Sequence, residues 1–463
     1  MIGFSEGFHD ADSAVAVVHE DRIVFATNGE RYSKKKHDKT LDLGAIVTAK
    51  TFQKDDVVAF YEMPFWKKSR QLFAGQFQTV KNERYYSLEP TVYFEHHKSH
   101  AAAAFQTSSF EEAACVVVDS IGEWDCSSIW TAKMVDGKAK YKKVWSRKYP
   151  NSIGLWYSAL TKWAGLKPLD EEYIFMGMAA FGNPVYMNRV ERFLHRNNHK
   201  GIGREEMRGN VYDVAKSAEK ILEQELQIIF DKAKKYSNNI CYGGGVALNC
   251  VVNTKLRERC NLWIMPCPGD AGGALGAALL ADGSKVEFSP YLGYNIKRKI
   301  DPKEVVSCLL KNKIVGVANG RAEFGPRALG NRSLLADPRE IQTKDLVNDI
   351  KQRQKFRPFA PAILEEHCHD YFDMPDHSRY MSYTYQCKRQ DDIPACLHVD
   401  NSARVQTVPE TSESILRPIL EAWYERTGCP VLLNTSLNVR GKPMVNNIED
   451  ARLFENKYNV TVM

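Results

Sequence analysis

Two stretches of the chain alternate apolar and polar positions in the same way, and each predicts a meander of β-strands. The first opens with MIGFS and a polar loop and continues through AVAVVHEDRIVFATNGE, in which Glu20-Asp21 predicts a turn. The second opens at residues 112–122, EAACVVVDSIG, and the later pair Asp136-Gly137 is a strong hairpin signal. Because the two stretches open alike, the pattern indicates a duplicated architecture.

The middle of the chain has the periodicity of helices. Residues 151–165 begin with Asn and Ser and end with Gly, and residues 211–236 repeat apolar side chains every three or four positions. Residues 239–250 and 266–283 each place a glycine-rich turn before a predicted helix. The character of the sequence changes near residues 285–300, so we predict two domains, residues 1–290 and residues 291–463.

The composition excludes several classes of protein. Hydrophobic residues make up 44% of the 463 residues, which is typical of a globular protein and excludes wholesale disorder. No apolar run is long enough to span a membrane, and the N-terminus lacks the pattern of a secretory signal. The 11 cysteines form no CxxC pair, so we expect reduced thiols and a cytoplasmic protein.

The formal net charge of +6 is accompanied by local clusters of basic residues. Lysine-rich stretches lie at residues 34–39, 66–70 and 138–148, and an arginine-rich stretch follows residue 320. One interpretation is a solvated basic surface, and the other is a surface that contacts a polyanion such as nucleic acid.

The segment EHHKSH predicts a metal site, because it places His96 and His100 four residues apart. On a helix the two imidazoles would share one face and could hold one ion, although the glutamate of a zinc metalloprotease motif is missing. Asp119 ends the apolar run VVVD, and Asp270 lies in a glycine-rich turn before a helix. Two His and two Asp suit an iron, manganese or zinc ion. The alternative is a polar start to the helix that contains AAAAF.

Two further groups of residues are suited to phosphate. Gly243, Gly244 and Gly245 lie between a predicted strand and a helix, where backbone N–H groups can bind phosphate, although a structural turn is an equal alternative. After residue 320, guanidinium groups alternate with turns and aromatic residues, and such groups match phosphate bidentately unless they are merely surface charge. The residues concerned are Arg321, Glu323, Arg327, Arg332, Lys351, Arg353, Lys355, Arg357, Arg404, Asn434 and Arg440.

Taken together, these motifs resemble the O-carbamoyltransferases of the NodU/CmcH type over almost the whole chain. The resemblance is carried by GFHDADSA, GERYSKKKHD, EHHKSHAAAAF, DEEYIFMGMAAFG, GGGVALNC, GDAGGALGAA, GRAEFGPRALGNRS, FRPFAPAIL and CPVLLNTSLN. It implies an α/β fold class, with a duplicated actin/sugar-kinase-like (ASKHA) N-terminal domain related to tRNA threonylcarbamoyl transferases. It implies a YrdC-like α/β domain at the C-terminus.

The resemblance also implies a transferase reaction in two steps. The C-terminal domain would condense carbamoyl phosphate with ATP to give carbamoyl-adenylate, pyrophosphate and phosphate, and the N-terminal domain would transfer the carbamoyl group to an acceptor hydroxyl. A divalent metal, Fe(II) in the family, would be held by His96, His100, Asp119 and Asp270, and Mg²⁺ could accompany ATP. The nucleotide and phosphate groups would be bound by Gly243, Gly244, Gly245, Asn249, Arg327, Arg332, Arg357, Arg404, Asn434 and Arg440, with Lys351 and Arg353 as catalytic candidates.

The acceptor hydroxyl needs a base, and His9 in the first loop is the candidate because imidazole titrates near neutrality. The alternative for His9 is a loop histidine satisfied by hydrogen bonds. Ile174, Phe175, Gln354 and Lys442 depart from the family pattern, and these departures bear on the acceptor pocket.

Three hypotheses on function stay open. The acceptor can be the hydroxyl of a small molecule such as a sugar or an antibiotic. It can instead be a hydroxymethylated base in DNA, such as 5-hydroxymethylcytosine, which the lysine-rich stretches favour. A non-catalytic, nucleotide-binding protein of the actin fold is the third hypothesis, and the sequence sets no oligomeric state.

Overall fold

The computed structural model describes residues 1–7, 12–77, 86–196, 198, 201–203 and 205–463. The chain divides into two units, of which the first contains Met1–Glu30 and His37–Phe288 and the second contains Arg31–Lys36 and Ser289–Met463. Residues 31–36 therefore belong to the second unit, although the sequence prediction assigned them to the N-terminal domain.

The first unit contains a five-stranded sheet in the order β3-β2-β1-β4-β5. An antiparallel meander of β1, β2 and β3 is extended on its other side by β4 and β5, which run parallel to β1. Glu20 and Asp21 form the predicted turn between β2 and β3, and both have positive φ angles, 48° and 58°. The strands are β1 (Ile2–Ser5), β2 (Ala14–His19), β3 (Arg22–Asn28), β4 (Val58–Phe60) and β5 (Val92–Tyr93).

A second five-stranded sheet in this unit repeats the same order and the same strand directions, as β8-β7-β6-β9-β10. The turn between β7 and β8 is Asp136-Gly137, as predicted. The two equivalent sheets confirm the predicted duplication and the α/β class. The strands are β6 (Glu112–Val118), β7 (Asp125–Val135), β8 (Lys138–Lys148), β9 (Asn239–Gly243) and β10 (Asn261–Ile264).

Four of the helices described before residue 289 begin after a residue whose side chain caps them. Ser152 accepts a hydrogen bond from the N–H of Leu155 at the start of one predicted helix, and Asn210 caps the next long one. Those described are α1 (Glu30–Ser33), α2 (Leu43–Phe52), α3 (Pro64–Phe73), α4 (His96–Gln106), α5 (Ile153–Trp163), α6 (Glu172–Met178), α7 (Met187–Glu191), α8 (Val211–Lys234), α9 (Cys250–Arg257) and α10 (Asp270–Asp282).

The second unit is built around a mixed sheet in the order β12-β14-β20-β15-β19. Strands β11 and β13 form a separate pair, and β16, β17 and β18 form a small antiparallel sheet. The strands are β11 (Tyr291–Ile296), β12 (Ile314–Ala318), β13 (Gly320–Glu323), β14 (Arg332–Ala336), β15 (Ala360–Leu364), β16 (Phe372–Asp373), β17 (Tyr385–Cys387), β18 (Ser402–Ala403), β19 (Gln406–Val408) and β20 (Val431–Ser436).

Helices cover both faces of this sheet. Side chains alternate between the two faces along each strand, so each strand contributes to both helix–sheet interfaces. Val315 and Val317 of β12 pack with Trp423, whereas Ile314 and Ala318 pack with Phe454. The unit is therefore a three-layer α/β structure. Its helices are α11 (Pro302–Asn312), α12 (Ile341–Ile350), α13 (Cys368–Tyr371), α14 (Leu416–Thr427) and α15 (Ile448–Tyr458). Within the described part of the chain, none of the helices is long and apolar enough to cross a membrane.

Residues 31–36 are held in the second unit by a buried arginine. Only 1% of Arg31 is exposed, and its guanidinium group donates to the carbonyl oxygens of Val445 and Glu323, each at 3.4 Å. Lys34 forms an ion pair with Asp450. These contacts explain why a short segment from early in the sequence belongs to the later unit.

We expect Arg31→Ala to destabilise the protein, because it leaves buried carbonyl oxygens without their donors. The free energy of unfolding should fall by about 1–3 kcal/mol. Chemical denaturation measures the change, with Lys35→Ala as the matched control because Lys35 is exposed. Equal stability of the two variants would contradict this role of Arg31.

Candidate active site

Helix α4 presents the two predicted histidine ligands one turn apart, and both are buried, with 2% of His96 and 1% of His100 exposed. Their Nε2 atoms lie 3.0 Å apart. The helix begins at His96 because Glu95 has an extended backbone, and the N–H of His96 is satisfied by Glu123 Oε1 at 2.8 Å. The predicted helical spacing of the two imidazoles is confirmed.

Asp119 and Asp270 complete a cluster of four side chains. Asp119 directly follows β6, and Asp270 is the first residue of α10. Asp119 Oδ2 lies 3.1 Å from His96 Nε2 and 3.3 Å from His100 Nε2. Asp270 Oδ1 lies 3.3 Å and 3.4 Å from the same two nitrogen atoms. The structure therefore brings all four predicted metal ligands together within 4.8 Å of one another.

The separations between the donor atoms fit a metal ion. Ligands at about 2.1 Å from an ion lie roughly 3.0–3.4 Å apart on neighbouring corners of an octahedron or a tetrahedron. The His–His and His–Asp pairs of the cluster lie 3.0–3.4 Å apart. Two nitrogen and two oxygen donors are compatible with several divalent ions, including Fe(II).

The charges of the cluster compensate one another in the chain alone. Burial lowers the pKa of His96, but hydrogen bonds with Asp119 and Asp270 outweigh burial and raise it well above its ordinary value. Burial raises the pKa of Asp119, but hydrogen bonds with His100 and His96 outweigh it and hold this pKa well below its usual range. The cluster therefore favours ionised carboxylates next to a positive charge, which is what a cation site requires.

His97 lies between the two ligand positions in sequence but faces a different partner. Its Nδ1 atom is 2.8 Å from Ser128 Oγ. Burial, followed by the charge of His96, lowers the pKa of His97 well below its ordinary value. His97 is therefore a neutral packing residue.

The close approach of α10 to α4 depends on Gly276. A Cβ atom at this position would lie 1.8 Å from the carbonyl oxygen of Ser99, which belongs to the backbone of α4. Because both groups are held in helices, neither can move without separating the helices. The small residues of α10 thus allow Asp270 to reach the histidines of α4.

The three glycines predicted to bind a nucleotide form a turn beside the cluster. Strand β9 ends at Gly243, and Gly244 has a φ of 89°, where a Cβ atom would lie 2.3 Å from the carbonyl oxygen of Val118. The N–H of Gly245 points to Asp119 Oδ1 at 3.3 Å. Asn249, also predicted to contact the nucleotide, caps α9 by accepting from the N–H of Val252 at 3.2 Å. The predicted order of strand, glycine turn and helix is confirmed.

In the second unit, Lys351 is buried among neutral oxygen atoms. Its Nζ donates to Ser436, and to the carbonyl and side-chain oxygens of Asn438 at 2.9 Å and 3.1 Å. Burial lowers the pKa of Lys351 well below its ordinary value, and the charges of Arg353 and Arg357 add to this. These three predicted residues thus lie close enough to influence one another, and an anion bound beside them would be stabilised.

Two other predicted residues carry buried polar atoms that lack a partner. Among the described residues, Arg404 Nε and Asn434 Oδ1 are buried without a hydrogen-bond partner. Asn434 Nδ2 donates to Gln406 Oε1 at 2.7 Å, and this hydrogen bond joins β20 to β19 across β15, which lies between them in the sheet. Because buried polar atoms are normally hydrogen-bonded, these two atoms are candidates for contact with a polar ligand. Of the remaining predicted residues, Arg327 is half-buried and Arg440 is exposed.

The prediction that Arg332 binds phosphate is wrong. None of its surface is exposed, and its guanidinium group donates to the carbonyl oxygens of Asn446, Asn319 and Tyr294, with distances of 2.8–3.2 Å. With its N–H groups used inside the protein, Arg332 stabilises the loops around β14 and has no donor left for phosphate.

Two carboxylates near His96 were not predicted from the sequence. Glu62 follows β4 by two residues, and Glu123 accepts the N–H groups of both Met63 and His96 at 2.8 Å. An acidic residue just beyond the end of a parallel strand was the signal for Glu62, and the same signal was used for Asp119. His9, the predicted base, lies outside the described residues.

The chain matches two family models, carbamoyltransferase N-terminus over residues 61–213 and 204–279 and carbamoyltransferase C-terminus over residues 306–463. The chain belongs to the carbamoyltransferase family. The predicted resemblance and the predicted enzyme class are thereby confirmed.

Two relatives illustrate the range of this carbamoyltransferase family. The chain is 27% identical to 3'-hydroxymethylcephem-O-carbamoyltransferase of Amycolatopsis lactamdurans, over 98% of this chain and 96% of that protein. It is 30% identical to nodulation protein NolO of Bradyrhizobium diazoefficiens, over 77% of this chain and 75% of that protein. Among solved structures, this carbamoyltransferase is similar to Ta0583, an archaeal actin homologue, with a TM-score of 0.29 and 13% identity, over 61% of this chain and 99% of that one.

We expect Gly276→Ala to destabilise the first unit, because the new methyl group meets the backbone of α4. Overpacking of this kind costs about 1–3 kcal/mol of unfolding free energy. Thermal and chemical denaturation measure the loss. Gly269→Ala is the control, since a Cβ atom at Gly269 meets nothing within 4 Å. A Gly276→Ala protein as stable as the control would contradict the close packing of α4 and α10.

Proposed function

We propose that this carbamoyltransferase forms carbamoyl-adenylate from carbamoyl phosphate and ATP and transfers the carbamoyl group to the hydroxyl of a small molecule. The observation that supports this most directly is the four-residue cluster of His96, His100, Asp119 and Asp270 beside the glycine turn. Asp119 contacts both the histidines and the N–H of Gly245, so the proposed metal and nucleotide sites share a residue.

The adenylate-forming step is assigned to the second unit. Water first hydrolyses carbamoyl phosphate to carbamate and phosphate. The carbamate oxygen then attacks the α-phosphorus of ATP, and pyrophosphate leaves. The positive charges of Arg353 and Arg357, and the unpartnered Arg404 Nε, are suited to these anionic groups. Arg353 is oriented by Asn348 Oδ1 at 2.6 Å and by the ring of Phe359 at 4.0 Å. Such support keeps the guanidinium group in one orientation.

The transfer step is assigned to the first unit. The acceptor oxygen bonds to the carbamoyl carbon, the bond between that carbon and AMP breaks, and the hydroxyl proton goes to a base, for which His9 is our candidate. A divalent ion bound by His96, His100, Asp119 and Asp270 would supply Lewis acidity to the carbonyl oxygen on which negative charge develops. Gly243, Gly244 and Gly245 offer a turn without side chains, which suits close approach of the nucleotide part of carbamoyl-adenylate.

A small-molecule acceptor is favoured because several positive groups of the basic stretches pair with carboxylates of the same chain. The pairs are Lys34 with Asp450, Lys67 with Glu62, Lys143 with Glu95 and Asp125, and Arg147 with Glu225. A charge that is paired in this way contributes little to the binding of phosphates in DNA.

The remaining lysines of residues 138–148 have a structural explanation. Strand β8 is the edge of its sheet, and the exposed Lys138, Lys140 and Lys142 alternate along it. Lysines on an edge strand prevent it from pairing with another chain. The relative from Amycolatopsis lactamdurans is named for a small hydroxymethyl compound, which agrees with this choice of acceptor class.

We expect the two half-reactions to be separable by mutation. His100→Ala should reduce carbamoyl transfer by about 100-fold or more and leave adenylate formation intact, because electrostatic stabilisation of the carbonyl oxygen is lost. Arg404→Gln should reduce adenylate formation instead. Exchange of labelled pyrophosphate into ATP, dependent on carbamoyl phosphate, measures the first step, and mass spectrometry of the acceptor measures the second.

Removal of the metal by a chelator should reproduce the effect of His100→Ala. His9→Ala should likewise stop transfer and spare adenylate formation. Equal loss of both half-reactions in the folded His100→Ala protein would contradict the division of labour between the two units.

The acceptor class is tested by incubating the enzyme with ATP and carbamoyl phosphate. One set of reactions contains sugars and hydroxymethyl antibiotics, and the other contains duplex and single-stranded DNA with 5-hydroxymethylcytosine. We expect carbamoyl addition by mass spectrometry in the first set. We expect no salt-sensitive DNA binding, because Lys34, Lys67 and Lys143 already pair with carboxylates of this chain. Carbamoylated DNA would overturn the small-molecule acceptor and leave the reaction type in place.

A further inference from the structure

The Nδ1 side of the His96 ring faces a carboxylate that has no role in the proposed reaction. Its Nε2 atom faces the two aspartates, whereas its Nδ1 atom is buried without a hydrogen-bond partner among the residues that the structure describes. Glu62 Oε2 lies 3.9 Å from this Nδ1 atom, and 4% of Glu62 is exposed. A buried imidazole N–H and a buried carboxylate are thus neighbours just outside hydrogen-bonding distance.

Glu62 is held in place from three sides. Its other oxygen, Oε1, accepts from Lys67 Nζ at 2.5 Å. The carbonyl oxygen of the preceding residue, Tyr61, accepts from Ser99 Oγ of α4 at 3.0 Å. The N–H of the following residue, Met63, donates to Glu123 Oε1, which also accepts from the N–H of His96. The backbone at Glu62 is therefore fixed to the start of α4.

A histidine that binds a metal through Nε2 carries its proton on Nδ1. Metal-bound histidines usually donate this proton to a carboxylate or a carbonyl oxygen, which fixes the orientation of the ring and strengthens the ligand. The terminal torsion of a glutamate side chain is soft, so a small rotation of Glu62 can close the distance to Nδ1. Because Lys67 binds Oε1, the other oxygen, Oε2, is the one that faces Nδ1.

From these contacts we infer that Glu62, anchored by Lys67, is a positioning residue that accepts the Nδ1 proton of His96 and tightens metal binding at the four-residue cluster. This inference rests on the metal site of the proposed function. The inference gives Lys67 a role at the metal centre, although the sequence pattern placed this lysine in a basic surface stretch.

Equilibrium binding of Co²⁺ to the metal-free full-length protein tests the inference without any need for catalysis. Glu62→Ala should weaken Co²⁺ binding by about 10–100-fold, as the loss of such outer partners does elsewhere. Glu62→Gln keeps an oxygen acceptor without the charge, and its affinity should lie between those of Glu62→Ala and the unaltered protein. The visible spectrum of bound Co²⁺ reports the ligand geometry in each protein.

Glu95→Gln is the matched control. Glu95 directly precedes His96, but its carboxylate pairs with Lys143 at 2.6 Å on the surface, so Co²⁺ binding should not change. The melting temperature of each metal-free protein separates a loss of metal affinity from a loss of folding. If Glu62→Ala does not fold, Glu62→Gln decides the question.

Three outcomes are distinguishable. Weaker Co²⁺ binding in the Glu62 variants, with an unchanged control, supports the inference. Binding as tight as in the unaltered protein in both folded Glu62 variants overturns it and leaves the proposed metal site intact. An unaltered protein that binds no Co²⁺ overturns the proposed metal site and this inference together.

Discussion

The burial of two carboxylates close together is the constraint on which the first unit depends. Asp119 and Asp270 repel one another in a largely buried site, with 11% and 23% of their side chains exposed, where water screens them only weakly. A positive charge must therefore lie between them. The chain provides two imidazoles at 3.1–3.4 Å from the carboxylate oxygens. A divalent ion can take over the same task, and the arrangement then has lower repulsion and open positions for a ligand.

Several backbone features serve this constraint. Gly276 lets the backbone of α10 approach that of α4, and Gly244 adopts a positive φ so that the turn after β9 can reach Asp119. Glu123 joins the backbone after β4 to the first residue of α4. Residues from both repeats thus converge on one point, which explains why the duplicated fold has only one such cluster among its described residues.

The two repeats use equivalent positions in different ways. Glu6 follows β1 and Asp119 follows β6, which is the equivalent central strand. The carboxylate of Glu6 accepts hydrogen bonds from the N–H groups of Leu41 and Ser87 at 2.9 Å and 2.8 Å, so it fixes the loops that contain these two residues. Asp119 instead faces the histidines. The carboxylate of Glu6 therefore stabilises loops in one repeat, whereas the carboxylate of Asp119 in the other repeat faces the proposed ligand site.

The sequence predicted those parts of the site that depend on local periodicity. The spacing of His96 and His100 requires only a helix, and the position of Asp119 requires only a strand that ends at the ligand edge. It could not distinguish Arg332, which donates to backbone carbonyl oxygens, from Arg404, whose Nε has no hydrogen-bond partner among the described residues. Both arginines lie near loop residues, and the carbonyl oxygens of loops accept hydrogen bonds from guanidinium groups, as phosphate oxygens also do. Only the packing of β14 separates these two roles.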